Sequence, residues 1–145
     1  IYYSNSKNNF LENKLNAKTL SLNSILKKSD ILSIHLPLNS KTHRLLNDKN
    51  LIFLKKSAIV INTARGEIID EKFLLSMLKQ NKIISAGFDV YENEPILKPE
   101  FYKLKNVVLL PHIGSATVEA RNNMSLLAAK NVIAVLSGKR AITPV

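Results

Sequence analysis

The sequence of 145 residues contains no cysteine and no tryptophan, and it has only four glycines. The absence of cysteine excludes disulfide bridges, thiolate metal sites and cysteine nucleophiles. No apolar stretch reaches the roughly 20 residues of a membrane span, and no signal-peptide pattern is present, so we expect a cytoplasmic protein without a membrane partner. Three histidines without ligand spacing predict no metal site.

Positive charge is in excess, with 21 lysine and arginine residues against 11 acidic residues. The excess is spread evenly, because residues 1–72 carry 12 basic and 6 acidic groups and residues 73–145 carry 9 and 5. Lysine supplies 17 of the 21 basic groups, whereas specific nucleic-acid readers depend on arginine and on stacking aromatic rings. We therefore expect no nucleic-acid partner.

Short apolar runs rich in β-branched residues predict strands that are buried on both faces, as in parallel sheets. The runs are residues 31–36, 58–62 and 107–110, with weaker candidates at 1–3 and 86–90. Apolar residues at helical spacing predict helices over residues 21–28, 70–80 and 115–137, with Ser21 and Asp70 as N-caps of the first two. This alternation predicts an α/β fold with a doubly wound parallel sheet.

In such sheets ligands bind at the carboxyl ends of the strands, so the residues that follow each predicted strand are candidate site residues. They combine one arginine, two carboxylates and one histidine with small or polar residues: Ser4, Asn5, Ser6, Pro37, Thr63, Ala64, Arg65, Asp89, Glu94, His112 and Gly114. The convergence of these groups on one edge of the sheet is the functional signal of the sequence.

Each charged candidate has two interpretations. The guanidinium of Arg65 suits a carboxylate or keto-acid substrate, but it could equally pair with Glu67 or Asp70. His112, at a strand-to-helix junction, is either an acid–base group or a structural histidine. Glu94 is either a carboxylate that raises the pKa of a histidine or part of an exposed acidic loop.

Four motifs, in order along the chain, resemble those of the D-isomer-specific 2-hydroxyacid dehydrogenases. They are His35-Leu-Pro37, Asn62-Thr-Ala-Arg-Gly66, Asp89-Val-Tyr-Glu-Asn-Glu-Pro95 and Pro111-His-Ile-Gly-Ser-Ala-Thr117. The similarity covers essentially all of the chain and is greatest to the glyoxylate/hydroxypyruvate reductase branch. It implies an oxidoreductase that transfers a hydride between a nicotinamide cofactor and a small 2-oxo or 2-hydroxy acid. The alternative on the same fold is a non-catalytic, nucleotide-sensing corepressor.

The resemblance also implies a role for each candidate residue. Arg65 would bind the carboxylate and keto oxygen of the substrate, His112 would protonate the carbonyl oxygen, and Glu94 would hold and tune His112. Asp89 would hold the nicotinamide carboxamide. The other implied cofactor contacts are Ser4, Asn5, Ser6, Leu36, Pro37, Thr63, Ala64, Arg65, His112 and Gly114.

The residues after the first predicted strand bear on the choice of cofactor. An NAD-selective fold usually places an acid there to bind the ribose 2′-hydroxyl, whereas this chain has Ser4-Asn5-Ser6-Lys7. Neutral groups and a lysine do not repel a 2′-phosphate. The cofactor is therefore expected to be NAD or NADP, with NADP favoured.

The glycine-rich turn of dinucleotide-binding folds, G-x-G-x-x-G, does not occur in the sequence. The resemblance then implies an incomplete Rossmann-like sheet that lacks its first βα unit. We expect residues 1–145 to be a fragment of an NAD(P)-binding domain, without the substrate-binding domain. Such a fragment should fold but be inactive by itself, and by analogy with the family the parent enzyme should be a homodimer.

Overall fold

The computed structural model describes residues 1–144. Five α-helices lie at Asn9–Leu15 (α1), Leu22–Lys28 (α2), Asp48–Leu51 (α3), Glu71–Lys79 (α4) and Val118–Leu136 (α5). Four strands lie at Ile31–Ile34 (β1), Ile59–Asn62 (β2), Ser85–Phe88 (β3) and Val107–Leu109 (β4). Two 3₁₀ turns lie at Gly66–Ile68 and Phe101–Lys103. The chain divides into two compact units, the first ending at Pro111 and the second beginning at His112.

The four strands form one parallel sheet in the order β1-β2-β3-β4. Ile31 lies opposite Ile59, and Ile59 in turn lies opposite Ser85. Because every neighbouring pair is parallel, the carboxyl ends of all four strands lie along one edge of the sheet. The predicted α/β fold with a parallel sheet is therefore confirmed.

The core of the first unit is built from one face of this sheet and the helices packed on it. Its fully buried side chains are Leu26, Leu51, Val60, Ile68, Ile69, Leu74, Leu78, Ile83, Val90 and Phe101. Phe101 contacts two further rings edge-on, with centroids 5.0 Å from Phe88 and 5.4 Å from Tyr91. This aromatic cluster fixes the chain that leaves β3 against the core.

Burial on both faces of the strands was predicted, and within residues 1–144 this prediction is wrong. Along β1, the side chains of Leu32 and Ile34 are buried, but the side chain of Ile31, on the opposite face of the strand, is 60% exposed. Val108 of β4 is 63% exposed. The composition of a strand shows which faces are apolar, but burial also requires a covering layer, and within the first unit only one face of the sheet is covered.

The predicted strand at residues 1–3 is reduced to a single parallel bridge between Tyr2 and Thr19. The Tyr2 amide donates to the oxygen of Lys18 over 3.0 Å, and the Leu20 amide donates to the oxygen of Tyr2 over 2.9 Å. A polar, exposed segment follows, so no longer ladder forms. The three strands predicted at 31–36, 58–62 and 107–110 are each one or two residues shorter than expected.

Side-chain caps begin the helices as the sequence predicts, with one shift. The Ser21 hydroxyl accepts from the amide of Ser24, and the Asp70 carboxylate accepts from the amide of Phe73. The long helix begins at Val118, three residues later than predicted, where the Thr117 hydroxyl accepts from the amide of Ala120 as its cap. None of the side chains of α5 is buried. Over residues 1–144, no helix combines the length and apolar character that a membrane span requires.

Candidate active site

The turn after β2 is held closed by the buried side chain of Asn62. Its Nδ2 donates to the oxygen of Arg65 over 2.9 Å, and its Oδ1 accepts from the amide of Ala64 over 3.1 Å. Asn62 is only 1% exposed, so both bonds are shielded from water. The turn therefore presents Arg65 from a rigid base at the carboxyl edge of the sheet.

The guanidinium of Arg65 is exposed at this edge. Its Nη1 donates to the oxygen of Ala64 over 2.6 Å, which uses only one of the N–H donors that a guanidinium carries. Within the described part of the chain, Arg65 makes no ion pair with Glu67 or Asp70, the two partners that the sequence left open. Its fork is therefore available to an anionic ligand.

Gly66 brings this turn into direct contact with the loop that follows β3. A Cβ atom at Gly66 would lie 2.0 Å from the carbonyl carbon of Tyr91 and 2.3 Å from the amide nitrogen of Glu92. Both are backbone atoms, which cannot move aside as a flexible side chain can. Glycine is thus required here, and it packs the Arg65 turn directly on the Tyr91–Glu92 peptide.

The same loop carries Glu94. The Tyr91 amide donates to Oε1 of Glu94 over 2.9 Å, which folds the exposed carboxylate back over its own loop. Asn93, just before it, has a φ of 82°, a left-handed conformation that asparagine tolerates. Asp89 begins the loop, is 4% exposed, and donates its amide to the oxygen of Asn62 over 3.0 Å.

An open cleft of about 620 Å³ lies beside the Arg65 turn. It is lined by residues that follow β1 and β2: His35, Leu36, Pro37, Leu38, Thr63, Ala64 and Arg65. Five predicted cofactor contacts therefore share one cleft. Thr63 and Asp89 also line a hollow of about 480 Å³ on the sheet, whereas Ser4 lines a different cleft, next to β1. Asn5 and Ser6 line none of these.

The remaining two predicted site residues, His112 and Gly114, belong to the second unit. His112 has a φ of 53°, which a non-glycine residue rarely adopts. Such conformations cluster at functional sites, where the surroundings hold them in place. Within residues 1–144, no group of three or more histidine, aspartate or glutamate side chains could hold a metal ion.

A cluster of four charges supports the Glu94 loop. Lys98 donates to Oε2 of Glu71 over 2.8 Å and also to Glu92, and Glu92 accepts from Nη2 of Arg44 over 2.8 Å. Burial alone would raise the pKa of Glu92, but the hydrogen bonds and charges of Lys98 and Arg44 outweigh it and lower this pKa. Burial would lower the pKa of Lys98, but its two carboxylate partners raise it.

Residues 1–114 match the family model for the NAD binding domain of D-isomer specific 2-hydroxyacid dehydrogenases. The chain belongs to this family. The family expected from the four motifs is therefore confirmed, together with a domain that binds a nicotinamide cofactor.

Curated relatives of this dehydrogenase-family chain include glyoxylate reductases. The glyoxylate reductase of Thermococcus litoralis is 45% identical over 139 residues, which are 96% of this chain and 42% of the relative. That of Thermofilum pendens is 49% identical over 126 residues, which are 86% of this chain and 37% of the relative. The chain thus spans less than half the length of these relatives, and none of the relatives named here favours the corepressor alternative.

Solved structures agree with the sequence relatives. The NADPH-dependent glyoxylate/hydroxypyruvate reductase of Sinorhizobium meliloti, in complex with NADP and malonate, superposes with a TM-score of 0.93 at 33% identity. The alignment covers 99% of this chain and 44% of that structure. The holo form of D-mandelate dehydrogenase from Rhodotorula graminis also gives 0.93 at 33% identity, over 99% of this chain and 43% of that one.

Several residues that hold the candidate site together were not singled out from the sequence. Asn62 closes the Arg65 turn, Tyr91 holds Glu94, and Glu71 and Lys98 support the loop. Only Asn62 left a local signal, since an asparagine that ends an apolar strand needs hydrogen-bond partners when buried. Glu71 acts over long separations in the chain, toward Glu92 and Lys98, which no local pattern reports. The bond from Tyr91 to Glu94 spans only three residues, but its donor is a backbone amide, which leaves no signal in the sequence.

Proposed function

We propose that the protein containing this chain reduces small 2-oxo acids, such as glyoxylate or hydroxypyruvate, with a nicotinamide cofactor. The observation that carries the proposal is the packing of Gly66 on the Tyr91–Glu92 peptide. It joins the turn of the exposed Arg65 to the loop of Glu94 at the edge where such sheets bind ligands. The names of the relatives support the same reaction.

The cleft after β1 and β2 fits the cofactor. Leu36, Pro37 and Ala64 offer apolar contacts, and Thr63 and the buried Asp89 offer hydrogen-bonding groups on the sheet hollow. Cofactor sites combine apolar walls with a few placed polar groups, and the residues around this cleft offer both. When bound, the reduced nicotinamide supplies the hydride that the carbonyl carbon of the substrate accepts.

In this proposal Arg65 binds the substrate, because a guanidinium fork matches a carboxylate and a neighbouring keto oxygen in a bidentate way. It also stabilises the negative charge that develops on the carbonyl oxygen during reduction. His112 donates the proton that this oxygen takes up, and Glu94 is the carboxylate assigned to assist it. The product is the 2-hydroxy acid.

Within the proposal NADP is favoured over NAD. Ser4, Asn5, Ser6 and Lys7 are all exposed, and none of them is acidic. The carboxylate of Glu12 accepts from the Tyr2 hydroxyl over 2.9 Å, which engages it with another side chain. A 2′-phosphate would thus meet neutral groups and one cation.

We also propose that a further strand belongs beside β1. An open cleft of about 470 Å³ lies between residues 1–4 and β1. Tyr2 uses its backbone groups toward residues 18–20, so in extended geometry Ile1 and Tyr3 direct theirs to the other side. A parallel strand that ends in a glycine-rich turn would fit this cleft and place phosphate-binding amides next to Ser4.

The homodimer and the cytoplasmic location remain parts of the proposal. The exposed apolar side chains of α5, among them Val118 at 79% and Ile133 at 63%, support a covering partner surface. Light scattering of the full-length protein in solution tests the dimer, and a mass of one subunit would contradict it.

Steady-state assays of the full-length protein test the function. Oxidation of NADPH or NADH with glyoxylate, hydroxypyruvate and other small 2-oxo acids is expected, and Arg65→Ala should raise KM by about 10-fold or more, since a charged hydrogen bond contributes about 1.5–3 kcal/mol. Arg140→Ala, at an exposed arginine beyond the end of α5, is the matched control. No turnover with any 2-oxo acid, or equal KM values in both variants, would contradict the proposal.

A further inference from the structure

Glu71 is a buried carboxylate that stands outside the proposed catalytic group. It lies in the first turn of α4, and it is 2% exposed. Its two oxygens have different partners: Oε1 accepts from the amide of Glu92, and Oε2 accepts from Nζ of Lys98 over 2.8 Å. A buried charge is costly unless it is paired and hydrogen-bonded, and here both oxygens are satisfied.

The amide that Glu71 accepts from belongs to the Tyr91–Glu92 peptide. Gly66 packs on the same peptide, next to Arg65. One residue earlier, the Tyr91 amide holds Oε1 of Glu94 over 2.9 Å. The Tyr91–Glu92 peptide therefore contacts the turn of Arg65 through Gly66, and its amide is hydrogen-bonded to Glu71. It also directly follows the Tyr91 amide that binds the Glu94 carboxylate.

Lys98 holds the other end of the loop. It lies four residues after Glu94, and it donates to both Glu71 and Glu92. Arg44, from a distant part of the chain, holds Glu92 over 2.8 Å. The segment that carries Glu94 is thus tied to Glu71 on both sides, at residues 92 and 98.

We propose that Glu71 is a positioning residue, which holds the Tyr91–Glu92 peptide so that Glu94 keeps its place relative to Arg65. This inference rests on the proposed function, because it assigns Glu71 an effect that passes through Glu94. A residue that only stabilised the start of α4 would make the same bonds but would have no coupling to Glu94. The two roles differ in measurable ways.

A double-mutant cycle in the full-length protein separates them, with Glu71→Gln, Glu94→Gln and the double variant. Glu71→Gln should lower kcat by about 10-fold with little change in KM, because a misplacement of about 1 Å can cost up to about 10²-fold. Its pH–rate profile should shift in the same direction as that of Glu94→Gln. The double variant should be no slower than Glu94→Gln alone.

Glu100→Gln is the matched control, since Glu100 is exposed and its side chain does not cap the following turn. Its kcat should equal that of the wild type. Multiplicative losses in the double variant, or a Glu71→Gln variant with unchanged kcat and pH profile, would overturn the inference. An unchanged Glu94→Gln variant would overturn it as well, and would also remove Glu94 from the proposed function.

Amide hydrogen exchange gives a readout that does not need activity. In Glu71→Gln the amides of Tyr91 and Glu92 should exchange faster, whereas those in the interior of α4 should not change. Faster exchange in α4 with residues 91 and 92 unchanged would overturn the inference, even if the wild type turns over no 2-oxo acid and the proposed function fails. Lys98→Met, which should give the same pattern, serves if the Glu71 variants do not fold.

Discussion

The hydroxyl of Tyr91 donates to the backbone oxygen of Leu110 over 2.8 Å, which ties the loop after β3 to the end of β4. The Tyr91 ring is 4% exposed, and it contacts Phe101 edge-on. Burial is the main cause that raises the pKa of Tyr91, so the hydroxyl stays protonated and keeps donating throughout the neutral range. One side chain therefore connects the loop of Glu94 with the strand that leads to His112.

Removal of this hydroxyl alone is the first prediction. Tyr91→Phe should lower the free energy of unfolding by about 1 kcal/mol, because the hydrogen bond from the buried Tyr91 to the oxygen of Leu110 is lost while the ring packing is kept. Urea denaturation measures this change. Tyr102→Phe, at a ring that is 71% exposed, should leave the value within about 0.5 kcal/mol of the wild type. Equal stability of the two variants would contradict the role assigned to the Tyr91 hydroxyl.

Two glycines offer a matched pair for the second prediction. Gly66→Ala places a Cβ atom 2.0 Å from a backbone carbon of Tyr91 and should cost about 1–3 kcal/mol or more. Gly87→Ala meets nothing within 4 Å and should change stability by no more than about 0.5 kcal/mol. Thermal or urea unfolding compares them. Tolerance of alanine at Gly66 would show that the turn and the loop are not packed as described.

The charge cluster predicts how stability depends on pH. The pKa of Glu92 is lowered on folding, so its contribution is present above its ordinary pKa of 4.5 and is lost as the pH falls through the lower folded value. The pKa of Lys98 is raised, so its contribution is present below 10.5 and is lost as the pH rises through the higher folded value. We expect a plateau between these limits.

Glu92→Gln should flatten the acid side of the unfolding free-energy curve measured against pH. Asp30→Asn is the control, because the Asp30–Lys55 pair is exposed and screened by solvent. A curve for Glu92→Gln that falls below pH 4.5 as steeply as that of the wild type would contradict the assignment.

The neutral segment after Tyr3 predicts a response to added charge. Ser4→Asp should raise KM for NADPH by about 10-fold and leave KM for NADH little changed or lowered, since a carboxylate repels a 2′-phosphate and accepts from a 2′-hydroxyl. Ser24→Asp, in α2, is the control for added negative charge elsewhere. Equal effects of Ser4→Asp on both cofactors would place the adenosine ribose away from this segment.

The sheet could be predicted because its information is local. Short apolar runs rich in β-branched residues indicate the strands, and Asp70 indicates the start of α4. Because Arg65 and Glu94 follow two of these strands along the chain, their position at the same edge of the sheet could be predicted from the order of the elements. The α1 helix was not predicted, because it has only seven residues and buries none of them, so its apolar pattern is too short to stand out. The Glu71–Lys98 contact joins residues 27 positions apart, which no periodicity reveals.

The partner of Arg65 is a second feature that the sequence alone could not decide. Sequence spacing placed Glu67 and Asp70 within reach, yet Asp70 caps α4 and accepts from the Phe73 amide instead. A capping carboxylate is already engaged, and only the three-dimensional arrangement shows which of its possible partners it takes.

We propose that His112 donates the proton that a 2-oxo acid takes up in a nicotinamide-dependent reduction. The most direct test is kcat for glyoxylate and hydroxypyruvate in the full-length wild type, in His112→Ala and in His43→Ala, an exposed histidine elsewhere. We expect turnover in the wild type and in His43→Ala, and a loss of about 10²–10⁴-fold in His112→Ala, as for a missing general acid. Equal kcat values for the two histidine variants would contradict it.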